Sequence, residues 1–221
     1  MILPYILLLV FCGIMLVLQT KNTIKPRKTG IFEPVNFLHY NMARKEMLKE
    51  AGDDEDWGAE IMREYFDTPL PCRATAGSAG YDFFAPFAFT LVPGETIKIP
   101  TGVRVMIDNG WWLGCLPRSG LGFKYRVQLD NTMGVIDSDY YYADNGGQIF
   151  IKMTNHSPDK TLEINAGDAI AQGIFLPYGI TYGDNAKEKR TGGMGSTDNK
   201  PPVITDNTIA LSPFEVEVEK P

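Results

Sequence analysis

The spacing of apolar residues changes twice along this chain. Residues 2–18 carry no charge and are almost wholly apolar. As a helix rising about 1.5 Å per residue, such a run just reaches across a bilayer core. From 36 to 65 the pattern is helical, with His39, Met42, Met47 and Leu48 alternating with charges. Gly52 and the acidic run 53–56 break it, and acids there favour the start of a following helix. That helix, 57–66, repeats Trp57, Ile61 and Tyr65 at every fourth position. After Leu70 the character turns to β. Val103–Ile107, 111–113, 149–153 and 174–176 read as strands. Pro93-Gly94 suits the centre of a type II turn, and 165–168 reads as another turn. Asn109-Gly110 suits a two-residue hairpin between its flanking strands. Many short strands at regular spacing predict an all-β sandwich or barrel behind a short helical N-terminal region. The polar tail 198–221 holds one alternating run, 214–218, which suits an edge strand or a free end.

Composition narrows this little, but charge does more. The net charge of −6 argues against a nucleic-acid partner, whose phosphates need a basic surface. It leaves a single nucleotide open, which needs only a few local donors. The three cysteines, Cys12, Cys72 and Cys115, have no metal-site spacing and read as buried, inert thiols in a reducing compartment. Lys21, Lys25, Arg27 and Lys28 follow the apolar run. Positive flanks stay in the cytoplasm, so 2–18 predicts a transmembrane anchor with the rest of the chain on the cytoplasmic side. No basic n-region or small-residue cleavage site marks a signal peptide. The other reading of this segment is an upstream start that is rarely used. The expected organisation is an anchor and basic linker (1–30), a helical extension (31–70), a β domain carrying the site (71–200) and a tail (201–221).

The most chemically pointed residue is Asp137, in the run Gly134-Val135-Ile136-Asp137-Ser138-Asp139-Tyr140. In a strand, residues i and i+2 share a face, so Asp137 and Asp139 would stand together. A carboxylate on a stiff backbone can take a proton from water. This run is one of five glycine-marked segments. The others are Ala79-Gly80-Tyr81-Asp82, then Pro117-Arg118-Ser119-Gly120-Leu121-Gly122-Phe123-Lys124, then Gly167-Asp168-Ala169-Ile170-Ala171-Gln172, and last Arg190-Thr191-Gly192-Gly193-Met194-Gly195-Ser196-Thr197.

In order and content these segments resemble the trimeric dUTPase family. The resemblance implies a jelly-roll-like β-barrel, a homotrimer whose pockets draw on different subunits, and hydrolysis of dUTP to dUMP and pyrophosphate. Asp137 then matches the general base. Tyr140 matches the ring that packs on deoxyribose, and Asn131 with the backbone of Gly134, Val135 and Ile136 matches the uracil-reading edge. Arg118, Ser119 and Gly120 would cradle phosphate, and Gln172 would donate to the α-phosphate. Arg190, or Lys189 if the loop is one residue longer, would meet the γ-phosphate, with Met194, Gly195 and Ser196 closing over the nucleotide. The family's Mg²⁺ is held by triphosphate oxygens and waters, so no protein metal ligand is expected; Asp82 reads as structural or as binding metal through water.

Three departures stand out. Met194 replaces the usual phenylalanine, a longer loop 141–147 follows the motif tyrosine, and Asp198 replaces a final glycine. Two other readings remain. One is a dCTP deaminase of the same fold, which would lack the Gly-Val-Ile-Asp base and the glycine-rich loop. The other is a membrane-tethered regulator that binds nucleotide without hydrolysing it.

Overall fold

The computed structural model describes residues 25–53, 57–188, 190 and 192. The apolar run 2–18, Cys12 and the tail therefore lie outside the described residues. Among the described residues, no helix is long and apolar enough to cross a membrane.

The two helices expected near the N-terminus form. Helix α1 (Phe37–Glu50) starts at Asn36, whose side chain accepts from the Leu38 N–H at 2.9 Å. Helix α2 (Gly58–Asp67) packs on α1 through Ile61 and Tyr40, both fully buried with Val35. A charge is buried in this layer. Arg44 donates to Glu64 through Nε at 3.0 Å and Nη2 at 3.1 Å, while its guanidinium lies 3.8 Å over the Phe87 ring. The Tyr40 hydroxyl donates to the same carboxylate, and burial with that neighbour pushes its phenol well above the usual range. Forked, fully paired donors are what make such a buried ion pair tolerable.

One strand was not expected. Strand β1 (Gly30–Pro34) runs antiparallel to β5 (Val103–Ile107), with Glu33 opposite Arg104. The remaining strands are β2 (Tyr81–Phe84), β3 (Phe89–Leu91), β4 (Thr96–Pro100), β6 (Trp111–Pro117), β7 (Gln128–Leu129), β8 (Gly134–Ile136), β9 (Phe150–Thr154), β10 (Leu162–Ile164) and β11 (Ala169–Pro177). A short helix, α3 (Ser119–Tyr125), follows β6. Among the described residues the fold is mostly strands, as expected, but they do not close into one barrel. They form four separate sheets: β1-β5, β10-β3, β2-β11-β6-β8 and β4-β9-β7.

The turns explain why. Gly94 at φ +87° and the bond from Glu95 N–H to Val92 O (3.1 Å) give the expected turn at Pro93-Gly94. It passes the chain from β3, which pairs with β10, to β4, which pairs with β9. Asn109-Gly110 also turns, with Trp111 N–H donating to Asp108 O at 3.2 Å. The expected hairpin is nevertheless absent. The β5 edge is taken by β1, and β6 is flanked by β11 and β8. The 165–168 turn forms between β10 and β11 as read.

Alternation then builds the core. On β9, Ile151 and Met153 point inward and Lys152 outward. They meet Leu113, Ile149 and Ile170, all essentially without exposure. Cys115 on β6 is buried among them, and burial pushes its thiol up to about 12. Cys72 departs from expectation and is exposed. It bridges the outer edge of β2, where its carbonyl accepts from Asp82 N–H at 2.8 Å.

Candidate active site

The residues singled out by sequence fall into two clusters. The first grows from β8. Three registered pairs, Cys115 with Gly134 through Leu113 with Ile136, fix β8 against β6. The approach is close, since a Cβ on Gly134 would stand 3.1 Å from the Cys115 Cβ. The strand ends at Ile136. Asp137, still extended at φ −75° and ψ 158°, opens a 3-10 turn over Ser138–Tyr142. The two carboxylates therefore do not share a strand face, because the period-two pattern stops at Asp137.

Arg190 brings them together instead. Its Nη2 donates to Asp137 Oδ2 at 2.7 Å and its Nε to Asp139 Oδ1 at 3.1 Å. The guanidinium also lies 5.6 Å over the Tyr140 ring. Arg190 keeps only 17% of its side-chain exposure, while Asp137 keeps 47%. Tyr140 is anchored from behind, its hydroxyl donating to Gln148 O at 2.9 Å and accepting from Asn145 Nδ2 at 2.8 Å. Burial raises its phenol pKa. Asn131 sits at the preceding turn, exposed, with its amide nitrogen 3.7 Å from where a Gly134 Cβ would be. Val135 is exposed beside it, and Ile136 is half-buried.

The second cluster lies at the other end of β6. Arg118 occupies the N-cap position of α3, with Ser119 and Gly120 exposed in the first turn. Leading N–H groups of a helix have no partner within it, so this turn presents donors outward. Arg118 Nε pairs with Asp82 Oδ1 at 3.2 Å, which gives Asp82 a structural partner. Gln172 on β11 is in register with Asp82 and Leu116, and its Nε2 donates to Pro117 O at 3.2 Å.

The two clusters do not meet. Asp137 follows the residue opposite Leu113, and Arg118 follows Pro117. At ~3.3 Å per residue, they stand roughly 20 Å apart along β6. Their chemistry differs: one has two carboxylates and a ring, the other an arginine, an amide and the first turn of a short helix. Met194, Gly195, Ser196 and Lys189 lie outside the described residues, as does any choice between Lys189 and Arg190 from the loop itself. Among the described residues, no group of three or more His, Cys, Asp or Glu side chains is placed to hold a metal ion.

Around the first cluster stand residues that sequence reasoning did not find. Glu33 and Arg104 form a cross-strand ion pair at 3.0 Å, and Tyr141 donates to the same Glu33 oxygen at 2.7 Å. Their only sequence signal was opposite charge on two strands, and it is invisible until β1 is known to pair with β5.

Comparison with known proteins places the chain. Residues 67–198 match the dUTPase family model. The chain is 39% identical over 145 residues to the deoxyuridine 5'-triphosphate nucleotidohydrolase of Lactococcus lactis, covering 63% of this chain and 96% of that protein. It is 42% identical over 140 residues to that of Actinobacillus succinogenes, covering 60% and 89%. Among solved structures, the dUTPase from Streptococcus mutans is 36% identical, covers 51% of this chain and 88% of that one, and superposes with a TM-score of 0.47.

Proposed function

Because the chain belongs to the dUTPase family, we propose that it hydrolyses dUTP to dUMP and pyrophosphate, with Asp137 as the base that activates water. The observation that carries this reading is the placement of Asp137. It is half-exposed, fixed by a paired strand on one side and a 3-10 turn on the other, and paired with the Arg190 guanidinium. Water attacks the α-phosphorus and passes its proton to the Asp137 carboxylate, and the pyrophosphate leaves. The negative charge that builds on the triphosphate needs donors fixed in advance. Arg118 with the first turn of α3 supplies a fork and N–H groups, and Gln172 an amide. Arg190 leaves Asp137 and turns to the phosphates.

Selectivity follows from the same elements. The Tyr140 face now under Arg190 is where a deoxyribose would lie, and a ring there leaves no room for a 2′-hydroxyl. Asn131 with the Gly134–Ile136 backbone suits the O4 and N3–H edge of uracil. A site that pairs this edge rejects cytosine, because its buried groups would go unpaired. The donors present are anion-binding, so Mg²⁺ fits as part of the substrate, held by triphosphate oxygens and its own waters. It would offset the triphosphate charge.

The ~20 Å between the two clusters, from the strand rise, supports a homotrimer in which one subunit supplies Asp137 and another Arg118. The apolar run 2–18 and the basic residues after it support a tether that leaves this domain in the cytoplasm.

The test is pyrophosphate release from dUTP, with dCTP, dTTP and UTP as competitors. Release of pyrophosphate from dUTP alone bears the reading out. Release of ammonia from dCTP would make the protein a deaminase, and binding without any product a nucleotide-binding regulator.

A further inference from the structure

The family match begins at residue 67, yet a residue well before it reaches the turn that carries Asp137. Glu33 on β1 accepts the Tyr141 hydroxyl at 2.7 Å and Arg104 Nη2 at 3.0 Å on the same oxygen. Arg104 in turn lies 4.3 Å over the Tyr141 ring. Tyr141 is thus held at its tip by a carboxylate and on its face by a cation. Donation to Glu33 raises its phenol pKa, as expected of a proton shared with a carboxylate. Tyr141 belongs to the 3-10 turn that Asp137 opens and that contains Asp139. The chain after it is pressed home. Gly147, at φ +71°, lies so close that a Cβ would come within 2.7 Å of the Tyr141 carbonyl oxygen. Gly146 beside it faces His39 of α1, whose ring carbon would be 2.6 Å from a Cβ there. Gln148 Nε2 reaches His39 O at 3.5 Å. Both ends of the loop 141–147 therefore rest on β1 and α1.

We propose that the segment 30–50 braces the catalytic turn, with Glu33 acting through Tyr141 as a positioning residue for Asp137. This rests on the hydrolase reading above only for its kinetic consequence. The long loop and the N-terminal segment then belong together: the extra residues after Tyr140 have a surface to lie on because β1 and α1 provide it. A general base must be held in place to be useful, and small misplacements of a reacting group cost rate rather than binding.

The test is a double-mutant cycle on the full chain with Glu33→Gln, Tyr141→Phe and the pair. Arg27→Ala, which removes an exposed ion pair just before β1, serves as the control. Two readouts are taken. Amide exchange over 138–143 should quicken in both single variants and no further in the pair, with Arg27→Ala unchanged. The kcat for dUTP should fall by roughly ten-fold in each single variant, with KM little changed and a non-additive pair. Unchanged exchange in Tyr141→Phe overturns the brace, as does a kcat loss in Tyr141→Phe that Arg27→Ala matches. Faster exchange in a protein with no activity on dUTP sinks the hydrolase reading and leaves the brace standing.

Discussion

Arg190 and Asp137 are 53 residues apart in sequence and 2.7 Å apart in space. The contact joins the segment that ends the family motifs to the carboxylate at their centre. It occupies one of the two Asp137 carboxylate oxygens; on the proposed reading, nucleotide would draw Arg190 away and free the whole carboxylate for water. Phosphate oxygens, which accept the same guanidinium fork that Asp137 and Asp139 now share, are the natural competitor.

Replacing Asp137 by Asn keeps size and removes the proposed base. Turnover of dUTP should fall by about 10²–10⁴, the usual contribution of such a group. Binding of a non-hydrolysable dUTP analogue, measured by calorimetry, should stay within a few-fold. An Asn variant that turns over like the parent would take Asp137 out of the mechanism.

The pair of Arg44 and Glu64 is the structural counterpart, with side-chain exposures of 9% and 13%. Glu64→Gln leaves a buried guanidinium without its counter-ion. Unfolding in urea at fixed protein concentration should show a loss of about 3–5 kcal/mol. Arg44→Met combined with Glu64→Gln should lose less than Glu64→Gln alone. A single variant as stable as the parent would mean that water reaches the pair.

Much of this was legible beforehand, for identifiable reasons. The helix at 37–50 followed from apolar residues alternating with charges, that at 58–67 from four-residue spacing, and β9 and part of β11 from apolar runs of strand length. The turns were legible from Pro93-Gly94 and Asn109-Gly110, because glycine at positive φ is a local requirement. What those turns connect was not. Turn chemistry says that the chain reverses and nothing about which edge is already taken, so the expected 109–110 hairpin gave way to the pairing of β6 with β11 and β8. The site shows the same division. The motif residues were legible as candidates, but the meeting of Asp137 and Asp139 through Arg190, and the hold of Glu33 on Tyr141, are long-range contacts. No local period encodes them.

Asp130 gives a pH-dependent prediction. Its carboxylate accepts from Thr154 Oγ1 at 2.6 Å and from Lys152 at 2.9 Å, and the Thr154 bond first, then the lysine, holds its pKa below the usual value. A carboxyl with a lowered folded-state pKa adds stability above its unfolded value, about 3.9, and loses it as pH falls through the folded value. Asp130→Asn should therefore be slightly less stable than the parent at pH 6–7. The gap should close on the acid side below about pH 4. The carboxylate is partly solvated, so the effect should be small. A gap that widens in acid would reverse the sign and reject the assignment.

The thiols should separate sharply. In a Cys12→Ser background, a maleimide at neutral pH should modify Cys72, which is exposed, and spare Cys115, whose burial pushes it up to about 12. Peptide mapping after brief labelling checks this. Cys115 should become reactive only in denaturant, and labelling of Cys115 in the native protein would show that the β6 core opens.

The last prediction concerns the distance between the half-sites. Arg118 and Asp137 stand roughly 20 Å apart along one strand by its rise per residue, too far to act on one α-phosphate. If one subunit supplies Asp137 and a neighbour Arg118, then Asp137→Asn and Arg118→Ala damage different halves of each site. Arg190 pairs with Asp137 within the single chain, so Arg118→Ala is the cleaner partner for this test. After unfolding and refolding in equal mixture, about a quarter of sites should combine an intact half from each parent, as random assembly of a cyclic oligomer requires. Activity should then return to about a quarter of the unmutated level from two nearly inactive parents. Sizing should show a trimer throughout. Mixed trimers with no more activity than their parents would mean that one chain brings Arg118 to Asp137 by itself, and the two clusters would have to close on each other within the subunit.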